Sequence, residues 1–344
     1  MLRFLGAGFL ATICVSSAMA GRMVVDSSGR RVEVPDRIER VIAAGPPASV
    51  LVTILAPEKL IGWNRKPPPE ELPYLPPVVR NLPEIGRLTG RGGTANLEVV
   101  MAAKPDLIVD FGSVSDTYVS LADRVQSQTA IPYLLVDGRF DATLSAVRLL
   151  GGILGVGPRA EQLAGRMEDI LRDVDRVTAT LPQAARPRVY LSRGTRGLET
   201  GNRGSINTEI IERVGAINVV EGGAPRGGLS NVSLEQVVAW NPDSIVTVDP
   251  AVADYVRTDA SWSQIDAVRK DRVFLSPRLP YGWVDAPPSL NRLIGAQWLT
   301  RLLFPGRFSG DVRDVARDFY RQFYQVDLTG PEIDRLLEGA RARR

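Results

Sequence analysis

The chain contains no histidine. That absence removes the Ser-His-Asp mechanism, imidazole acid–base chemistry and the commonest ligand of transition metals. Cysteine is nearly absent too: the single one, Cys14, lies within the first twenty residues, so the remainder has no thiol, disulfide or cysteine metal site. Long apolar runs are missing. The best candidate, Phe4 to Val15, falls short of the ~18–20 residues needed to span a bilayer. An excess of one charge is missing as well, since 42 Lys+Arg against 39 Asp+Glu leaves a formal +3. With no dense basic run, that balance predicts no grip on nucleic acid. Carboxylate, tyrosine and lysine chemistry are what remain for an enzyme.

What the N-terminus does have is the pattern of an export signal. Arg3 supplies the positive charge, Phe4 to Val15 the short apolar stretch, and Ala18-Met19-Ala20 a small-residue cleavage site. Cleavage after Ala20 predicts a mature chain that begins at Gly21 and resides in the periplasm. Ile13, not a small residue, precedes Cys14, which argues against a lipoprotein anchor. The remaining ~320 residues exceed one ordinary core and predict two lobes.

From Arg40 onward, short apolar strands alternate with helices. Val41 to Ala44, Leu60 to Trp63, Leu107 to Phe111 and Tyr133 to Val136 read as strands. Ala48–Leu55, Asp116–Gln126 and Asp141–Leu154 read as helices, and the proline-rich stretch from Pro67 to Pro83 as a long surface loop. Between Arg159 and Leu181, Leu163, Met167, Ile170, Leu171, Val174, Val177 and Leu181 recur three or four apart, the stripe of one long amphipathic helix. Pro158 fits its first turn and Pro182 follows its end, for a span of roughly 33 Å. The α/β pattern then restarts with strands at Arg188–Ser192, Ser244–Val248 and Val273–Leu275. Helices follow at Ser205–Val214, Pro287–Leu303, Asp311–Tyr324 and Pro331–Ala340.

One internal repeat organises this pattern. Asn96 to Asp110 aligns without gaps with Ser233 to Thr247, with eight of fifteen positions identical. Asn96 and Ser233 are placed to cap a short helix, Glu98 and Glu235 sit in its first turn, and Pro105-Asp106 and Pro242-Asp243 break the helix before a buried strand. The expectation is an α/β protein with residues 21–157 as the N-terminal lobe, 158–181 as the connecting helix and 182–344 as the C-terminal lobe, after a signal peptide at 1–20.

With these residues in place, the chain resembles a known family. Val25 to Pro35 followed by Arg40-Val41-Ile42, both Leu-Glu/Pro-Asp units, and Tyr281 to Arg292 are similar to the helix-linked periplasmic binding proteins of ABC importers for iron–siderophore complexes, haem and cobalamin. The resemblance implies two Rossmann-like lobes with a ligand cleft between them, a small-molecule cargo, and a permease dimer with its ATPase as partner. It implies a monomer with no catalytic activity and no resident cofactor. It also makes Glu98 and Glu235 the acids that dock on permease arginines, one per lobe. The expected cargo is an anionic iron chelate; the alternative within the class is molybdate or tungstate. An exported carboxylate-dependent hydrolase, drawing on Asp110, Asp116, Asp137, Asp249 or Asp285, is the alternative from another class.

Ligands of α/β lobes bind beyond the carboxyl ends of the strands. That rule nominates Pro46 and Pro47, Trp63, and Arg91-Gly92-Gly93 from the first lobe. The second lobe offers Arg193, Arg196, Arg226, Tyr281 and Trp283. The glycine-rich Gly90 to Thr94 could turn N–H groups toward an anion, or be a plain exposed turn. Tyr281 and Trp283 could form an aromatic wall against a chelate, with Tyr281 a candidate metal ligand, or pack inward. Asn291 and Arg292 are candidates for buried struts. Gly155 to Ala160 matches the loose dinucleotide pattern G-x-G-x-x-A, but it follows a helix and so reads as a helix–helix connection.

Overall fold

Runs of Val, Ile and Leu with no polar alternation fold as strands covered on both faces. The computed structural model describes residues 21–90, 93–220, 228–308 and 310–340. In it, β3 (Val41–Ala43), β4 (Leu107–Gly112) and β5 (Tyr133–Asp137) form a parallel sheet in the order β3-β4-β5, after an antiparallel hairpin of β1 (Gly21–Val25) and β2 (Arg31–Pro35). Helices α1 (Pro46–Leu55), α2 (Leu97–Ala102), α3 (Asp116–Thr129) and α4 (Thr143–Ile153) complete this lobe.

Helix α5 (Gly157–Thr178) follows, its buried stripe made of Ala160, Leu163, Ala164, Met167, Val174 and Val177. It packs on α4 at one side and on α10 (Arg292–Leu303) at the other, so it joins the two lobes along their backs. It ends before the expected Leu181, which is nonetheless buried.

The second lobe opens with β6 (Arg188–Ser192), β7 (Glu199–Gly201), α6 (Glu209–Arg213), β8 (Ile217–Asn218) and β9 (Leu229–Asn231). Helix α7 (Leu234–Trp240), β10 (Ser244–Thr247), α8 (Pro250–Thr258), α9 (Asp266–Arg269) and β11 (Val273–Leu275) follow. Its parallel sheet runs β11-β10-β6-β8, and β7 pairs with β9 as a separate antiparallel ribbon. The chain closes with α11 (Val312–Phe319) and α12 (Gly330–Leu336).

The two copies of the repeat therefore lie in different sheets: α2 leads into β4, and α7 into β10. Asn96 caps α2 by accepting from the Glu98 N–H at 2.8 Å, and Ser233 caps α7. The fold is the expected pair of α/β lobes joined by a long helix.

Four expectations change in detail besides the end of α5. The helix expected from Pro287 begins only at Arg292, which leaves Pro287 and Pro288 in the loop ahead of it. The proline-rich stretch is not only surface: Tyr74, Leu75 and Val79 are buried, and the Tyr74 hydroxyl donates to the Glu332 carbonyl at 2.9 Å. The strand at Leu60–Trp63 is reduced to isolated bridges, Val41 with Leu60 and Trp63 with Glu84. The helix expected from Ser205 is confined to Glu209–Arg213, which leaves Ile206, Asn207 and Thr208 in the loop ahead of it. Thr208 and Ser205 divert the backbone there through their own hydrogen bonds.

The core does not stop at the lobe boundary. One continuous apolar cluster includes Val41, Leu107 and Leu134 of the first sheet, Leu163 and Met167 of α5, and Val189, Leu191 and Val246 of the second sheet. It extends to Phe319, Tyr320, Phe323 and Tyr324 at the C-terminus. Tyr320 stacks on Tyr324 and meets Tyr74 of the first lobe edge-on at 6.0 Å.

Within the first lobe, Asp110 of β4 is a buried acid. It accepts from the Tyr133 hydroxyl at 3.1 Å and the Thr89 hydroxyl at 3.3 Å, and burial pushes its pKa up to about 6. Its folded pKa lies above the ordinary 3.8, so the associated stability is complete below about pH 4 and is lost as pH rises through about 6. Asn retains acceptor and donor for the same partners without ionising. Asp110→Asn should gain on the wild type between pH 4 and 7 in urea unfolding, by up to roughly 3 kcal/mol. Parallel pH profiles for the two proteins would contradict the assignment.

Candidate functional site

The carboxyl ends of the strands point to one region. β3 ends at Gly45-Pro46-Pro47 and β5 at Asp137-Gly138-Arg139; from the other lobe come Arg193 after β6, the loop at 202–208, and the loop at 281–291. At this junction the lobes touch. Ser289 donates from its hydroxyl to the Pro47 carbonyl at 2.8 Å. Arg292, 1% exposed, donates to the Gly138 carbonyl at 2.6 Å.

Arg292 is the centre of a clasp. Its guanidinium also donates to the Ile206 carbonyl at 3.0 Å and the Ser289 carbonyl at 3.2 Å, and pairs with the Glu209 carboxylate. Glu209 in turn accepts from the Phe140 N–H at 2.6 Å, and the Arg292 guanidinium lies over the Phe140 ring at 5.2 Å. Residues 138–140 of the first lobe are thus gripped by Ile206, Glu209 and Arg292 of the second. Gly138 has no room for a side chain, because a Cβ would lie 2.7 Å from the Gly112 Cα and 3.2 Å from Ile206. Burial lowers the Arg292 pKa and raises that of Glu209, so each ion is strained by desolvation and held by the other.

Beside the clasp sits a polar cluster. Asp285 has no exposed surface; it accepts from the Asn207 side-chain amide at 3.0 Å and pairs with Arg193. Arg193 also meets Glu199 at 3.3 Å. Two carboxylates therefore fix the orientation of this guanidinium, next to the Asn207 amide. On the facing lobe Arg139 binds Asp137 through two nitrogens, at 2.9 and 2.7 Å.

The nominated residues divide sharply. Arg193 lies at the junction, and Pro47 lies across from Ser289. Pro46 and Pro47 occupy the first turn of α1, where neither has an N–H to donate; Pro47 offers a carbonyl to the other lobe instead of a contact to an anion. Arg196 and Gly93 are exposed. Arg91, Gly92 and Arg226 lie outside the described residues.

Trp63 and Trp283 are corrected outright: both are core residues. Trp63 is 2% exposed and donates to the Val79 carbonyl at 2.9 Å; Trp283 is 0% exposed and donates to the Tyr320 hydroxyl at 3.2 Å. A buried indole needs one acceptor, and each has found it inside the protein. Tyr281 is partly buried against Tyr324, and its backbone carbonyl accepts from Asn291. Burial raises its phenol well above the ordinary range, which disfavours the phenolate that a hard metal requires. Among the described residues, no group of three or more acidic, cysteine or histidine residues could hold a metal ion. Of the candidate hydrolytic acids, Asp110, Asp137 and Asp285 are bonded as above, and Asp249 caps α8 through the Ala251 N–H.

Residues missed from the sequence are Gly138, Arg139, Asn207, Glu209 and Ser289. An Asp-Gly-Arg turn after a strand was a usable signal for the first two. Ser289 sits inside the Tyr281–Arg292 stretch that carries the family resemblance, and nothing local marked Asn207 or Glu209.

Comparisons with known proteins fit this architecture. The profile of the family described as periplasmic binding protein matches residues 70–278. The molybdate-binding protein MolA of Haemophilus influenzae is 26% identical, over 90% of this chain and 93% of its own length. The structure of an ABC transporter solute binding protein from Sulfurospirillum deleyianum superposes with a TM-score of 0.82 at 27% identity, covering 92% of this chain and 99% of that one. A TroA-like periplasmic binding protein from Veillonella parvula shares the fold, with a TM-score of 0.66 at 19% identity over 89% of this chain and 97% of that one. These relatives are transport proteins, not enzymes.

The clasp makes a direct prediction for stability. Arg292→Met strands the Glu209 carboxylate and three carbonyls, and should cost about 3–5 kcal/mol in urea unfolding. Glu209→Gln keeps an acceptor for the Phe140 N–H and should cost about 1–3 kcal/mol. Near-neutral values for both would show that the clasp does not hold the lobes.

Proposed function

We propose that this chain, which belongs to the periplasmic binding protein family as the solute-binding component of an ABC importer, carries a small tetrahedral metal oxyanion of the molybdate and tungstate class. The observation that carries the reading is the narrowness of the junction: hydrogen bonds of 2.8 and 2.6 Å already tie the lobes at Pro47 and Gly138. A compact ion with four acceptor oxygens suits such a site better than a bulky chelate does. The withdrawal of Trp63 and Trp283 into the core supports the same reading, because a chelate loses its aromatic wall. So does the molybdate-binding relative, which matches over nearly the whole chain.

In this reading Arg193 and Asn207 are the donors of the second lobe. Asp285 and Glu199 hold the guanidinium in place before the anion arrives, so little ordering is left to oppose binding. Arg196 and Gly93, both exposed, stay in the proposal as candidate contacts to the anion, as do Arg91, Gly92 and Arg226, which lie outside the described residues. Transport requires a second contact, and Glu98 and Glu235 are the proposed docking acids. Each is exposed in the first turn of a capped helix, one on each lobe. The Ser233 hydroxyl lowers the Glu235 pKa, which keeps that acid ionised.

Calorimetric titration of the mature protein tests the cargo. Molybdate and tungstate should bind saturably, whereas ferric siderophores, haem and cobalamin should give no saturable heat. Arg193→Ala should weaken oxyanion binding about 10–100-fold. Saturable binding of a ferric chelate with none of molybdate would overturn the reading.

A further inference from the structure

The two copies of the repeat differ on their outer surfaces. In α7 the third helical position is Gln236, which closes a capping box: the Gln236 N–H donates to the Ser233 hydroxyl at 3.3 Å, and the Gln236 side chain accepts from the Ser233 N–H at 2.8 Å. The equivalent position of α2 is Val99, and Asn96 caps that helix without a reciprocal bond. Val99 forgoes the second capping bond, and its branched side chain is a poor helix former. It is also 44% exposed, and Met101 on the same helix is 42% exposed. Only five large apolar side chains are that exposed among the described residues, and this six-residue helix holds two of them, with Glu98 in the same outer turn. At the positions matching Val99 and Met101, α7 has the exposed, polar Gln236 and the half-buried Val238. The inner face of α2 is already satisfied by Val100, which is fully buried, so Val99 and Met101 do not serve the lobe's own core.

We propose that Val99 and Met101 form an apolar collar that seats in an apolar socket of the permease, around the cation that receives Glu98. The N-terminal contact is then largely desolvated and the C-terminal contact at Glu235 polar and wet. An ion pair ringed by apolar surface is shielded from salt, whereas an exposed pair is screened within about a Debye length. The two lobes therefore hold the importer by different physics: the α2 contact sets residence time, and the α7 contact contributes to encounter and orientation. This inference rests on the docking reading of Glu98 and Glu235, and the experiment separates the two.

The importer, permease with ATPase, is reconstituted in proteoliposomes, and its stimulation by the molybdate-loaded protein is titrated at low and high salt. Val99→Gln, which completes the capping box, and Met101→Ser leave Glu98 and the cleft intact. Together they should raise the half-saturating concentration on the order of tenfold, and make it more salt-sensitive, with molybdate affinity unchanged. Gln236→Val on the other lobe should change it far less. If Glu98→Ala with Glu235→Ala abolishes stimulation while the Val99/Met101 variant matches wild type, the collar is overturned and docking by the acids stands. If the acid variants also match wild type, the docking reading falls and the collar with it. A wild-type dimer in sedimentation that the collar variant dissolves would assign the patch to a second copy of the chain and overturn the proposal as well.

Discussion

A single buried guanidinium sets how the two lobes relate. Arg292 comes from the last long helix of the second lobe and binds the Gly138 carbonyl of the first, while its partner Glu209 takes the Phe140 N–H. Burying that ion pair is costly, and it is tolerable only because two further carbonyls and an aromatic face complete the coordination. The pair is better understood as a device for specificity of arrangement than as a source of stability. It fixes which turn of one lobe faces which loop of the other. The polar cluster of Arg193, Asn207 and Asp285 begins a few residues from that fixed point.

The clasp does not act alone. Helix α5 runs along the back of both lobes, and the apolar cluster it covers is continuous from the first sheet through the second to the aromatic residues of the C-terminal helices. Tyr74, from a stretch that looks like a loop, is tied to the C-terminal segment by a hydrogen bond and by an aromatic contact. Two lobes that share one core cannot hinge freely, because opening would expose apolar surface and break buried hydrogen bonds together. In the proposed function, capture of cargo is then a matter of placed donors more than of moving jaws. An importer that must recognise the loaded protein has a rigid body to read.

Much of this was legible in the sequence. The repeat from Asn96 and from Ser233 located one unit in each sheet, and the 3.6-residue stripe located α5 to within a few residues, because both signals are local and repeated. What was not legible depends on long-range pairing. Arg193 meets Asp285 across 92 positions, and Arg292 meets Glu209 across 83 and Gly138 across 154. Trp63 ends a segment that reads as a strand and Trp283 follows Gly282 in a stretch that reads as a loop; the burial of both is decided by partners at Val79 and Tyr320. Pro47 meets the second lobe only through its carbonyl, a contact that depends on Ser289 and that no local signal marks.

The central claim is that the lobes are already set at their working separation. Since Cys14 is the only cysteine of the chain, spin labels can be placed, in a protein expressed from Gly21 onward, at Gln128→Cys on α3 and Ala251→Cys on α8, both exposed positions on opposite lobes. Pulsed dipolar spectroscopy with and without molybdate then reads the distance between the lobes. The account predicts a narrow distribution that shifts by less than ~2 Å on binding. A broad distribution without ligand, or a shift of several ångströms on its addition, would contradict it.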